Sequence, residues 1–349
     1  MRVDQGHGLL LGDCWRRGQA TRHVPATVTT PIRPSPARGE PVDATSSTAR
    51  HATHVLELGT TRAVVSEYAA ALRALTVRGT ELIEPHDADG PPPLAAGAVL
   101  VPWPNRVDGG RWLLSGVEQQ LEITEPAAGH AVHGLLMRTR YSRGSCAAAS
   151  VTLAAPVTPQ PGYPFTLDTA VEYELAPDGV VVRHRVRNAG NGPAPVALGT
   201  HPYLRIGDVP VRDLTLTVPA GRAFRMDDRF IPTGTYDVTG TDDDLRGGVH
   251  VGDGPGHACF TDLAVSGGVV TSSLRAPDGR TLELWQEPAF GYVQMWVTDR
   301  FPGPGGETDA VAVEPMTAPP NALRTGEALR WLLPDETWTL TWGLRLAQG

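Results

Sequence analysis

From His54 onward the sequence keeps returning to a period of two, the alternation that the pleat of a half-buried antiparallel strand imposes. Phe165, Leu167, Thr169, Val171, Tyr173 and Leu175 alternate with Thr166, Asp168, Ala170, Glu172 and Glu174. Pro177-Asp178-Gly179 then turns the chain, and Val180, Val182, His184 and Val186 alternate with Arg183, Arg185 and Arg187, which predicts a hairpin. Near the end Trp338, Leu340, Trp342, Leu344 and Leu346 share one face opposite Thr339, Thr341 and Arg345, and Ala276-Pro277-Asp278-Gly279 leads into another strand, Thr281 to Trp285. Gly 39 and Pro 32 among 349 residues break the chain too often for long helices or a coiled coil. The Ala-rich segment Val65 to Leu75 is compatible with a helix, although Gly79 and its strand-like neighbours leave a strand open. With no βαβ rhythm, repeat or internal linker, the expected fold class is all-β: one large antiparallel β-sandwich over residues 51–349.

Residues 1–50 differ in chemistry. They carry seven Arg against four acidic residues and no sustained apolar period, and read as a disordered tail, leaving a formal charge of -11 on the remainder. All 30 basic residues are Arg, so side-chain amine chemistry (Schiff bases, a Walker A lysine) is excluded. A net charge of -8, without an Arg cluster interleaved with aromatics, argues against a nucleic-acid partner. The longest apolar run, Leu94 to Val101, is too short to span a membrane, and Leu9-Leu10-Leu11 too short for a signal-peptide core. Cys14, Cys146 and Cys259 lack metal spacing and fit reduced thiols, so a cytoplasmic location is expected.

Four segments break the alternation with polar residues boxed in by Gly and Pro, as when a rigid sheet presents functional groups on its turns. They are Pro102-Trp103-Pro104-Asn105-Arg106, His130-Ala131-Val132-His133-Gly134-Leu135, Gly199-Thr200-His201-Pro202-Tyr203 and Glu314-Pro315-Met316-Thr317-Ala318-Pro319-Pro320-Asn321. Each has a bland explanation by itself: a histidine bonding a loop backbone, a solvated carboxylate, a turn with a surface Arg, a core Trp. His130 and His133 are spaced i, i+3, but no Asp or Glu completes a recognised metal pattern, and no metal is expected.

Taken together, in this order and spacing, the four segments resemble the aldose 1-epimerase family, the galactose mutarotase-like sugar epimerases. The resemblance runs from about Leu56 to Leu346 and implies a large antiparallel β-sandwich, matching the period-two reading reached independently. It also implies Glu314 as general base and His201 as general acid, with Asn105, Arg106, His133 and Tyr203 at the sugar. Gln294, in Gly291-Tyr292-Val293-Gln294-Met295-Trp296, is similar to a family glutamine near the sugar. Many members carry an aspartate where this chain reads His257-Ala258-Cys259-Phe260, so His257 would replace an anionic hydroxyl acceptor, with Asp262, two residues beyond Phe260, the candidate substitute. An Arg often seen after the His-Gly-Leu loop is Met137 here, followed by Arg138.

Interconverting anomers requires removing the C1 hydroxyl proton while protonating the ring oxygen, then reversing both after C1 turns. A carboxylate and an imidazole suffice. The expected partner is a small-molecule sugar, no cofactor is required, and a nearby acid would keep the His201 imidazole charged at neutral pH. Three rivals remain: a non-catalytic carbohydrate-binding protein, a glycoside hydrolase pairing Glu314 with Asp262 or Glu287, and a hexose 6-phosphate epimerase that would need Arg138 and Arg140 as its phosphate site. Trp103 could shield one apolar face of the sugar.

Overall fold

The alternation around Pro177-Asp178 closes as a hairpin: Leu167–Ala176 pairs antiparallel with Gly179–Asn188, Leu175 opposite Val180. In Leu167–Ala176 the residues Leu167, Thr169, Val171, Tyr173 and Leu175 are buried, while their neighbours are partly or fully exposed. Each large apolar side chain so removed from water contributes about 1.5–3 kcal/mol, which fixes register because a one-residue slip would expose the whole set. Thr337–Ala347 joins the same sheet and buries Trp338, Leu340, Trp342, Leu344 and Leu346.

The structure is a computed structural model and describes residues 52–87, 90–303 and 305–347; the expected tail and Cys14 lie outside these. The hairpin belongs to a nine-stranded sheet that also takes in Ser142–Ala147, Ser150–Val157, Thr337–Ala347, Thr281–Gln286 and Val270–Arg275. An eight-stranded sheet is built around Pro232–Asp237, Ala220–Met226, His257–Leu263, Tyr292–Gly303 and Gly306–Met316, in that spatial order, continuing to Gly199–Thr200 and Val99–Leu100. All these pairings are antiparallel, and a four-stranded sheet, Thr53–Leu58 to Thr80–Glu81, opens the described chain. One continuous core draws on both large sheets, with Leu167, Val171, Tyr173 and Leu344 from the first and Phe260, Val293, Val311 and Val313 from the second. The fold is mostly β and antiparallel, as the periodicity predicted.

Val65 to Leu75 is not a helix. Thr61–Ser66 and Leu72–Val77 are paired strands, and between them Ala69 and Ala70 adopt left-handed backbone (φ 56 and 47). Burial overrides alanine's helix propensity there: Ala69, Ala70 and Ala71 are fully buried, and the Tyr173 hydroxyl donates to the Ala70 carbonyl at 2.7 Å. The one α-helix among the described residues is a single turn, Ala322–Thr325, and no helix there is long and apolar enough to cross a membrane.

Candidate active site

The eight-stranded sheet brings three polar side chains into one row. In its register Cys259 lies opposite Gln294, and Gln294 opposite Glu314, so neighbouring strands carry an amide and a carboxylate on the same face. Both are buried, at 1% and 2% exposure. His201 arrives from the turn that links Gly199–Thr200 to Tyr203–Leu204, both of which pair with the Glu314 strand. Its Nε2 lies 3.3 Å from Glu314 Oε1, while His201 Nδ1 and Glu314 Oε2 are buried with no partner among the described residues.

Two loops complete the wall. Asn105 takes a left-handed conformation (φ 55); its Oδ1 accepts from the Arg106 N–H at 2.9 Å, and its Nδ2 donates to Gln294 Oε1 at 3.2 Å. The Asn105 N–H donates to His133 Nδ1 at 3.2 Å, and the His133 N–H returns a bond to the Asn105 carbonyl at 3.0 Å. The ring proton of neutral His133 is therefore on Nε2. Its ring meets that of His201 edge-on at 5.3 Å. Gly134, next in the chain, has φ +73, and a Cβ there would sit 2.3 Å from the Val101 carbonyl oxygen, so the loop's path requires glycine.

These groups line a cavity of about 290 Å³, together with Arg106, Glu125, His257, Phe230, Trp296, Met137, Val132, Leu94 and Ala95. Arg106 is held in place by a two-pronged ion pair to Glu125 (Nε to Oε2 2.7 Å, Nη2 to Oε1 2.8 Å) and lies 5.0 Å from the Phe230 ring centre.

Burial governs the titration of the site. It raises the Glu314 pKa well above the ordinary carboxylate value, partly offset by Arg106, and lowers His201 to about 4. Desolvation, then His201 and Arg106, push His133 well below the imidazole range, and desolvation followed by Arg106 lowers His257 to about 4. Burial thus works against the charged form of both members of the pair. This runs against the sequence-based expectation of a charged His201: the neighbouring acid is itself buried, and burial disfavours its ionised form as well.

A family model described as aldose 1-epimerase matches residues 53–345. The chain belongs to the aldose 1-epimerase family. Uncharacterized protein YihR of Escherichia coli (strain K12) is 32% identical over 273 residues, covering 78% of this chain and 85% of that one. A galactose mutarotase-like protein from Clostridium acetobutylicum superposes with TM-score 0.75 at 16% identity, covering 86% of this chain and 97% of its own. Galactose 1-epimerase from Lactobacillus acidophilus superposes with TM-score 0.70 at 19% identity, covering 85% and 94%. The fold is the galactose mutarotase-like one.

Of the residues expected at an aldose 1-epimerase site, Glu314, His201, Asn105, Arg106, His133, Gln294 and His257 all line this cavity. Tyr203 does not. It stacks behind His201 at 5.2 Å and its hydroxyl reaches the Leu94 carbonyl at 3.4 Å, so it holds the imidazole from outside the cavity. Trp103 is a core residue at 2% exposure, packed 6.1 Å from Tyr163; the aromatic surface on the cavity comes from Phe230 and Trp296. His130 also stays out: its Nδ1 accepts from the Gly109 N–H at 3.3 Å and its Nε2 faces the Arg229 carbonyl at 3.2 Å. Among the described residues no three His, Cys, Asp or Glu are grouped to hold a metal ion.

Sequence reasoning missed Glu125, Phe230, Met137 as a wall residue, and Trp296. Trp296 had a signal, standing two residues beyond Gln294 on the same strand and hence on the same face. Glu125 and Phe230 come from turns with no motif, and only the folded chain brings them to Arg106.

Proposed function

We propose that this protein is an aldose 1-epimerase that interconverts the α and β anomers of a free hexose, Glu314 acting as base and His201 as acid. The observation that carries this reading is the buried His201–Glu314 pair, 3.3 Å apart, each with a second polar atom unpartnered, at the wall of a sugar-sized cavity. Between them the two groups hold one transferable proton and no net charge. A sugar whose C1 hydroxyl donates to Glu314 favours the carboxylate, and its ring oxygen, accepting from His201, favours the protonated imidazole. Binding thus draws the proton from Glu314 to His201.

Glu314 then takes the C1 hydroxyl proton as the C1–O bond to the ring oxygen breaks and His201 protonates that oxygen, giving the open-chain aldehyde. Rotation about C1–C2 presents the other carbonyl face. The ring hydroxyl attacks C1, returning its proton to His201 as Glu314 protonates the carbonyl oxygen, which restores the starting state. Asn105, Gln294 and Arg106 position hydroxyls, His133 donates from Nε2, and Phe230 and Trp296 offer apolar surface to the ring's C–H groups.

Two of the rivals lose support from placement. Asp262 and Glu287 do not line the cavity, Glu287 Oε2 accepts from the Thr341 N–H at 3.1 Å, and the other carboxylate on the wall, Glu125, is held by Arg106 through both oxygens, which disfavours the two-carboxylate pairing of a glycoside hydrolase. Arg140 is bound to Glu67 at 2.9 Å and Arg138 lines a neighbouring depression, so neither forms a phosphate site in this cavity. Glu314→Gln and His201→Asn are each expected to lower the catalysed rate by about 10²–10⁴-fold, the usual contribution of a positioned acid or base. Rates within about twofold of the parent, in folded variants, would overturn the assignment.

A further inference from the structure

The hydrogen-bond chain behind the cavity fixes more than position. The Arg106 N–H occupies Asn105 Oδ1 at 2.9 Å, which turns Asn105 Nδ2 toward Gln294 and makes the facing atom, 3.2 Å away, the amide oxygen Oε1. Gln294 Nε2 then lies 3.0 Å from the Ala258 carbonyl and 3.0 Å from the Met295 carbonyl. Exchanging the two ends of that amide would set oxygen against two carbonyl oxygens, so its orientation is determined by the surrounding backbone. The same Nε2 sits 3.1 Å from His257 Nε2. The two amide hydrogens are shared among the two carbonyls and His257 Nε2, and a proton on that ring nitrogen would set N–H against N–H at 3.1 Å, so His257 Nε2 carries the lone pair and the ring proton is on Nδ1. His257 Nδ1 has no partner among the described residues, and the ring lines the cavity with its centre 4.7 Å from that of Phe230.

We infer that His257 is a specificity-determining residue that presents a fixed, neutral Nδ1–H donor to the sugar, selecting a substrate whose facing ring substituent accepts a hydrogen bond. This rests on the sugar-epimerase reading above and adds the polarity of one contact. The resemblance drawn from the sequence places an aspartate here in many relatives, an acceptor that requires a hydroxyl hydrogen. In this chain the requirement is reversed. Both carboxylates on the cavity are already engaged, Glu125 by Arg106 through both oxygens and Glu314 in proton transfer. Burial and the Arg106 charge, which lower His257 to about 4, are consistent with a neutral ring.

The two kinds of site are separated by fluorine, which accepts weakly and cannot donate. The full chain is assayed with the hexose it turns over fastest and with that hexose's monodeoxy and monofluoro derivatives at each ring position. At one position, hydrogen is expected to cost about tenfold or more in kcat/KM while fluorine stays within about threefold of the hydroxyl. His257→Ala should level the three substrates at that position, and His257→Asn, which keeps an N–H, should restore their order. Nitrogen-15 NMR of the unliganded parent should show a pyrrole-type Nδ1 and a pyridine-type Nε2 for His257, a result that does not depend on the variants folding. A protonated Nε2, fluorine as poor as hydrogen at every position, or a folded His257→Ala with an unchanged panel each overturns the inference. If the derivatives bind in this order but no sugar is turned over, the epimerase reading fails while the donor assignment stands; absence of binding by the whole panel overturns both.

Discussion

Gly134→Ala tests whether the His133 loop is placed by backbone contact. Two costs combine at this position. The left-handed φ of +73 costs a non-glycine residue about 1–2 kcal/mol. A Cβ would also meet Val101 O at 2.3 Å, Val101 C at 2.5 Å and Pro102 N at 3.0 Å, all backbone atoms that cannot swing aside. Forcing such a contact costs about 1–3 kcal/mol more. Gly116 separates the two costs: its φ is +82, but nothing lies within 4 Å of the point where a Cβ would stand. Gly116→Ala should lose only the conformational cost and keep full activity. Gly134→Ala should be less stable than Gly116→Ala by about 1–3 kcal/mol in urea unfolding, and relief of the contact should shift His133 by close to 1 Å. A displacement of that size costs about 10²-fold in rate. Equal stability losses in the two variants, or a Gly134→Ala rate within about threefold of the parent, would refute the argument.

Three further outcomes follow from the same contacts. Glu125→Gln loosens the two-pronged hold on Arg106, whose side chain is 18% exposed, so KM for the sugar should rise by about 3–30-fold with kcat little changed, whereas a fall in kcat at constant KM would place Arg106 in the chemical step. Across pH, kcat/KM should fall on the acid side as His201 gains a proton toward about 4, and fall on an alkaline side displaced above the ordinary carboxylate range as Glu314 loses its proton. An acid limb near the ordinary imidazole value of ~6.5 would contradict burial of a neutral His201. His184, fully buried and accepting from Trp342 Nε1 at 2.9 Å, has its pKa lowered to about 3. The unfolded chain therefore binds a proton there that the folded chain does not, and stability contributed above ~6.5 is lost as pH falls toward about 3, at up to ~1.4 kcal/mol per pH unit. His184→Gln, which keeps an acceptor for the indole, should remove about one proton's worth of that slope by pH-dependent denaturation.

The strands were legible where burial is one-sided. The Leu167–Ala176 hairpin and the Trp338 to Leu346 face alternate because one side of each meets the core. Val65 to Leu75 was not legible, since its alanines are buried by contacts such as Tyr173 to Ala70, a separation of 103 residues that no local pattern encodes. In the site, the four loop motifs pointed to Glu314, His201, Asn105, Arg106 and His133 because Gly, Pro and polar residues interrupt the alternation there. Composition could not place Tyr203 and Trp103 behind the wall, nor deliver Glu125 and Phe230 to Arg106, because those positions follow from how distant turns meet. Nor could it give the opposite pKa shifts of the pair, which depend on both groups being removed from water together.

The central claim is that the buried His201–Glu314 pair catalyses anomer exchange. The most direct measurement follows freshly dissolved α-D-glucose and α-D-galactose by polarimetry or anomeric proton NMR, with parent protein, Glu314→Gln and a buffer blank. The account predicts acceleration of at least one sugar by the parent and its loss in a folded Glu314→Gln. No acceleration of either sugar despite binding, or acceleration that survives Glu314→Gln, would contradict it.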